Sequence, residues 1–183
     1  VPHRAAGLRV GAFDLFEVVK YLPGVRSGEV SLLREGFLVP LLVSAALLAL
    51  APAVWKKAPR AARWALPLAA GIVAAVALPP YPQITTAYHD PEYRGQLILS
   101  GATICLALLS GLTRRLPHRV RVSLLGLLAI VGMVIPLAQY ANVRGLFVDL
   151  FNAPVGFGWG AIVYLAGMVF VLASATSGFL IPD

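Results

Sequence analysis

Residues 122–140 read VSLLGLLAIVGMVIPLAQY and contain no Asp, Glu, Lys, Arg or His. A helix rises 1.5 Å per residue, so about 17–25 such residues cross the roughly 30 Å hydrocarbon core of a bilayer. Four further stretches, residues 37–55, 64–81, 95–113 and 153–181, share this freedom from charge. Isolated charges are costly in lipid and usually mark ion paths, proton relays or cofactor pockets. The pattern is that of a multispan membrane scaffold without visible chemistry in its spans.

The 183 residues are 59% hydrophobic, with a mean hydropathy of +0.82. Both values exceed the range of soluble domains. The net charge of +7 is read by position. Lys56, Lys57, Arg60 and Arg63 separate the first two spans, and Arg114, Arg115, Arg119 and Arg121, with His118, separate the third and fourth. The opposite loops carry only Arg94 and Arg144, alongside Asp90, Glu92 and Asp149. This eight-to-two asymmetry places the basic loops in the cytoplasm by the positive-inside rule. It explains the basic composition without a nucleic-acid partner. Residues 1–36, 82–94 and 141–152 are then expected outside. Aromatic residues at the span ends, Trp55 and Trp64 on one side and Tyr81, Tyr88, Tyr93, Tyr140, Phe157 and Trp159 on the other, suit the two headgroup regions.

The expected fold is an all-α integral membrane protein: a bundle of five transmembrane helices (residues 37–183) with an outer N-terminal segment (residues 1–36). That segment carries apolar Phe13, Leu15, Phe16, Val18, Val19 and Leu22 around Asp14, Glu17 and Lys20, the pattern of an amphipathic helix of about three turns. Pro23 and Gly24 end it, and Ser27 is expected to cap a new helix running through Leu32 and Leu33 into the first span. Pro40, Pro52, Pro67 and Pro136 each remove a backbone donor and predict local bends or helix ends. Val143, Leu146, Phe147, Leu150 and Phe151 fall at helical spacing and predict a short helix parallel to the membrane, before Asn152-Ala153-Pro154 starts the last span. The chain starts at Val1, a start compatible with a removed signal peptide, an extra span or an omitted initiator segment.

Small residues four apart, Gly71 with Ala75, Ala70 with Ala74 and Gly156 with Gly160, are candidate helix contacts, because they let backbones approach where lipid gives no hydrophobic drive to associate. Candidate partner contacts are Phe13, Phe16, Tyr88, His89, Tyr93, Phe147, Phe151 and Trp159, which cluster in the outer segments. No catalytic or metal site is expected. His89 and Asp90 are adjacent and would need Glu92 or Asp149 to complete a metal set. A bis-His haem has no His at depth, where only Met133, Met168 and Cys105 could ligate. Ser44, Ser100, Ser110, Ser123 and Ser174 have no intramembrane base to activate them. No cofactor is predicted, and bound lipid, carotenoid or quinone stays open.

These readings lead to a non-catalytic structural or accessory subunit of a larger membrane complex, in a bacterial inner membrane, with other integral membrane subunits and lipids as partners. A respiratory or photosynthetic electron-transfer assembly is one setting, with no motif behind it. The alternative is an oligomeric transporter or channel component for a neutral or lipid-like solute.

Overall fold

The computed structural model describes residues 12–30, 32–55, 57–151 and 156–180, without the side chains of Phe13, Leu150, Phe151, Phe179 and Leu180. The described residues form helices and no strand. In chain order they are α1 (Ala12–Val18), α2 (Pro23–Arg26), α3 (Val39–Val54), α4 (Arg60–Val76), α5 (Pro91–Leu108), α6 (Ser110–Thr113), α7 (His118–Phe151) and α8 (Trp159–Leu180), with 3-10 turns at Val19–Tyr21, Arg34–Phe37 and Gln83–Thr85.

Helix α3 is the hub and packs against α4, α5, α6 and α7. It buries Val39, Leu42, Val43, Ala45, Ala46, Ala49, Leu50 and Ala53, a set that leaves few positions facing outward. The alanines admit close neighbours, and Ala70 and Ala74 of α4 and Ala107 of α5 are buried in the same cluster. At one end this core continues through Phe16, Val19 and Leu22 to Val143 and Phe147 of α7. The amphipathic N-terminal segment therefore packs its apolar side onto the chain's own bundle. Helix α8 packs on α7, where Met168 joins Val39, Val43 and Ala129.

Two helices are long and apolar enough to cross a membrane: residues 118–149 of α7, with an 18-residue window of mean hydropathy 2.3, and 159–178 of α8, with a window of 1.8. The sequence reading expected five. Helix α3 has the apolar character but only 16 residues, α4 has 17, and the 18 residues of α5 begin with Glu92, Arg94 and Gln96. Helix α4 stops at Val76 because Ala77 leaves the helical conformation ahead of Pro79-Pro80. The stretch 95–113 breaks at Leu109, where α5 gives way to the single turn of α6.

Helix α7 departs most from expectation. The separate surface helix predicted after residue 140 is the continuation of one 34-residue helix, which is about 51 Å long at 1.5 Å per residue. Pro136 lies inside it. Its missing N–H would leave the carbonyl of Gly132, four residues earlier, without a donor. The Tyr164 hydroxyl of α8 donates to that carbonyl at 3.0 Å. Gly132 makes this possible, since a Cβ there would lie 2.8 Å from the Tyr164 oxygen. The break at Pro136 is thus compensated by a glycine one turn earlier and a tyrosine on the neighbouring helix.

The N-terminal segment also differs in detail. Ser27 closes α2 instead of opening a helix, its hydroxyl donating back to the Gly24 carbonyl at 3.2 Å. Gly28 follows at φ +78°, a left-handed conformation that ends the turn cheaply only for glycine. Leu32 and Leu33 are not helical, and the chain enters α3 through the 3-10 turn Arg34–Phe37 with Pro40 in the first turn of the helix, where its lost donor has no intrahelical partner anyway. The amphipathic helix is α1 plus one 3-10 turn. The start of the last span at Asn152-Ala153-Pro154, the extreme ends of the chain and Lys56 lie outside the described residues.

Candidate functional site

Asp90-Pro91-Glu92 starts α5. The Asp90 carboxylate accepts from the Glu92 backbone N–H at 2.8 Å, Pro91 sits where a donor is not needed, and the acidic Glu92 suits the positive end of the helix. This local geometry aims Glu92 at the N-terminal segment. Lys20 Nζ donates to Glu92 Oε1 at 2.7 Å, and Arg34 Nη1 donates to the same oxygen at 3.1 Å. Glu17, one turn before Lys20, adds a contact at 3.4 Å. The Arg34 guanidinium lies 4.1 Å from the Phe16 ring centroid and 6.0 Å from that of Tyr93. Three segments distant in sequence are thereby tied into one cap at the end opposite the basic loops.

The Glu92 carboxyl is held below its ordinary 4.5, chiefly by the hydrogen bond from Lys20, while burial pushes the other way. Lys20 is raised above 10.5 by the same bond, again against burial. Both shifts favour the ion pair over the neutral groups. Glu92 remains 42% exposed, so solvent screens the pair and its worth is about 0.2–1 kcal/mol. The cap fixes geometry more than it adds stability.

Polar groups deeper in the bundle serve the backbone. The Ala77 carbonyl, at the C-terminal end of α4, accepts from Gln96 Nε2 and Ser100 Oγ, both at 2.9 Å. Gln139 Oε1 accepts from the Leu33 N–H at 3.0 Å, tying α7 to the chain entering α3. At the basic end, Arg121 donates to the Ala53 carbonyl in the last turn of α3. The remaining feature is an apolar groove of about 550 Å³ between α3, α5 and α7, whose mouth is formed by Leu33, Glu35, Gly36 and Gly95. The Glu35 carboxylate occupies the space where a Gly95 side chain would project.

The predicted contact residues divide. Phe16 and Phe147 are buried in the chain's own core. Tyr93 is half-buried under Arg34. Tyr88 and Trp159 are exposed, at 60% and 75%. His89 is exposed and meets Tyr88 edge-on at 5.5 Å, with Arg94 over the same tyrosine. The side chains of Phe13 and Phe151 lie outside the described set. Among the small-residue pairs, Ala70 and Ala74 are fully buried; Gly71 is half-buried, with Ala107 at van der Waals distance from where a Cβ would stand, and Ala75 is exposed. Gly156 and Gly160 have open space where a Cβ would stand.

Sequence reasoning passed over Arg34, Glu35, Gln96 and Gln139. Arg34-Glu35 is a charged pair directly before an apolar run, a visible signal. Gln96 and Gln139 are uncharged, so a search for ionisable groups at depth misses them. No family model, curated protein or solved structure matches the chain.

Proposed function

We propose that the chain is a non-catalytic accessory subunit of a larger integral membrane complex, seated with its basic loops in the cytoplasm of a bacterial cell and its ion-paired cap outside. All five long helices lie in the membrane in this reading, the shorter ones accommodated by local thinning and by the long α7. The observation that carries it is the state of α8. This 22-residue helix rests on α7 and leaves Ile162, Val163, Val169 and Phe170 exposed, at 57–73%. Its glycines Gly160 and Gly167 have nothing within 4 Å of a would-be Cβ. Lipid can cover apolar side chains, but open glycines on an outward helix suit close approach by a second helix. Exposed Tyr81, Tyr88 and Trp159 at the cap end supply an aromatic rim for the same assembly.

The test is affinity purification of the tagged full chain from its native membrane in mild detergent. A second integral membrane protein retained in fixed ratio, and released by Gly160→Leu with Gly167→Leu, supports the proposal. A stable monomer would sink it. The second reading, an oligomeric transporter for a neutral or lipid-like solute, is favoured by the apolar groove beside α3. Flux of such a solute into proteoliposomes containing this chain alone would support that reading over the first.

A further inference from the structure

We infer that the groove between α3, α5 and α7 binds one outer-leaflet phospholipid with a primary ammonium headgroup, its acyl chain in the slot and its ammonium on Glu35. The inference rests on the membrane orientation proposed above. Three observations converge on that occupant. The slot is apolar, with Leu42, Leu99, Leu106, Leu128 and Ile135 among its walls. Thr103, the polar side chain on the α5 wall, is satisfied within its own helix by the Leu99 carbonyl at 2.9 Å. A hydrocarbon chain therefore leaves no polar group stranded there.

Its length fits one leaflet. From Gly95 at the mouth to Leu106 at the foot, the α5 wall extends about 16 Å at 1.5 Å per residue, close to half of the ~30 Å hydrocarbon core. The mouth lies at the cap end, away from Arg114, Arg115, Arg119 and Arg121, so the slot opens toward the outer leaflet.

Its charge is matched at one end. Glu35 is half-buried, lies at the mouth, and its carboxylate has no hydrogen-bond or ion-pair partner among the described residues. Of the neighbouring cations, Lys20 Nζ and Arg34 Nη1 go to Glu92, while Arg34 Nε and Nη2 are buried without a hydrogen-bond partner. A half-buried carboxylate without a cation is unfavourable, and an ammonium donor from the lipid would supply both charge and hydrogen bonds. A choline headgroup carries charge without N–H donors, and a glycerol headgroup carries donors without positive charge. Recognition by Glu35 therefore separates phosphatidylethanolamine from both.

The experiment is native mass spectrometry of the full chain released from mild detergent containing equal amounts of phosphatidylethanolamine, phosphatidylcholine and phosphatidylglycerol. One phosphatidylethanolamine per chain, retained several-fold over the other two, is expected. Glu35→Gln should bring phosphatidylethanolamine to parity with phosphatidylcholine, and Ala102→Trp, which fills the slot, should remove bound lipid of every class. Equal retention of the three lipids by the wild type, or an undiminished preference in Glu35→Gln, would overturn the assignment. Failure of the underlying membrane reading is distinguishable, because the chain would then leave the membrane fraction on alkaline carbonate washing.

Discussion

Helices α3 and α8 are similar as sequences, both apolar and uncharged, yet the fold treats them in opposite ways. Helix α3 has neighbours on nearly every side and buries more than half of its residues. Helix α8 leans mainly on α7 and, among its described side chains, buries the apolar Met168 and Ala175. Apolar composition states that water is excluded; it does not state what replaces water. For α3 the answer is the chain itself, and alanine at Ala45, Ala46, Ala49 and Ala53 is the sign, since small side chains admit four neighbours. For α8 the covering comes from outside the chain, which in the proposed membrane setting means lipid and another subunit.

The contrast can be broken by substitution. Leu38, fully buried where the chain enters α3, should be the most sensitive of four positions: Leu38→Ala is expected to cost about 2–5 kcal/mol in reversible unfolding, through the cavity it leaves. An effect within error would mean the α3 hub is looser than described. Tyr164→Phe comes next. It keeps the ring but removes the donor that compensates Pro136, leaving the Gly132 carbonyl unsatisfied at a cost of about 1–2 kcal/mol. That variant tests a point at which α8 supports α7 rather than merely resting on it.

Glu92→Gln should cost less than about 1 kcal/mol near neutral pH, since the pair is solvent-screened. Its pH dependence carries more information. The lowered pKa of Glu92 means that its contribution is present above 4.5 and is lost as pH falls through the folded value. The raised pKa of Lys20 means that its contribution is present below 10.5 and is lost as pH rises through the folded value. Thermal unfolding of wild type and Glu92→Gln should therefore differ between these limits and converge on acidification. A difference that persisted in acid would place the stabilisation elsewhere. The smallest effect belongs to α8: Phe170→Ala, on an exposed face, should change the stability of the isolated chain by less than about 0.5 kcal/mol. A large loss there would show that the chain covers this face itself.

Much of the architecture was legible because apolar length and charge-free runs report directly on helices, and all five stretches overlap a helix. The five-span count was not legible. Residues 64–81 include the Pro79-Pro80 break, and residues 95–113 conceal a stop at Leu109, neither of which alters the hydropathy of the run. The continuity of α7 was misread for a related reason: the polar residues from Gln139 to Arg144 look like a boundary, but a helix needs only its backbone donors satisfied. At the cap, the amphipathic pattern of Phe16, Val19 and Lys20 was readable; the partnership of Lys20 and Arg34 with Glu92 was not, since it joins segments far apart in sequence. Phe16 and Phe147 read as docking residues because they lie in segments expected outside, and they are buried because those segments fold onto each other.

The central claim is that α8 is covered by a second protein, and it is tested most directly by a photo-crosslinking residue in place of Phe170, activated in native membranes, with a leucine-like probe at buried Leu50 of α3 as the internal control. The Phe170 probe should yield a discrete adduct with another integral membrane protein while the Leu50 probe stays within the chain. Lipid adducts alone at Phe170 would contradict the account.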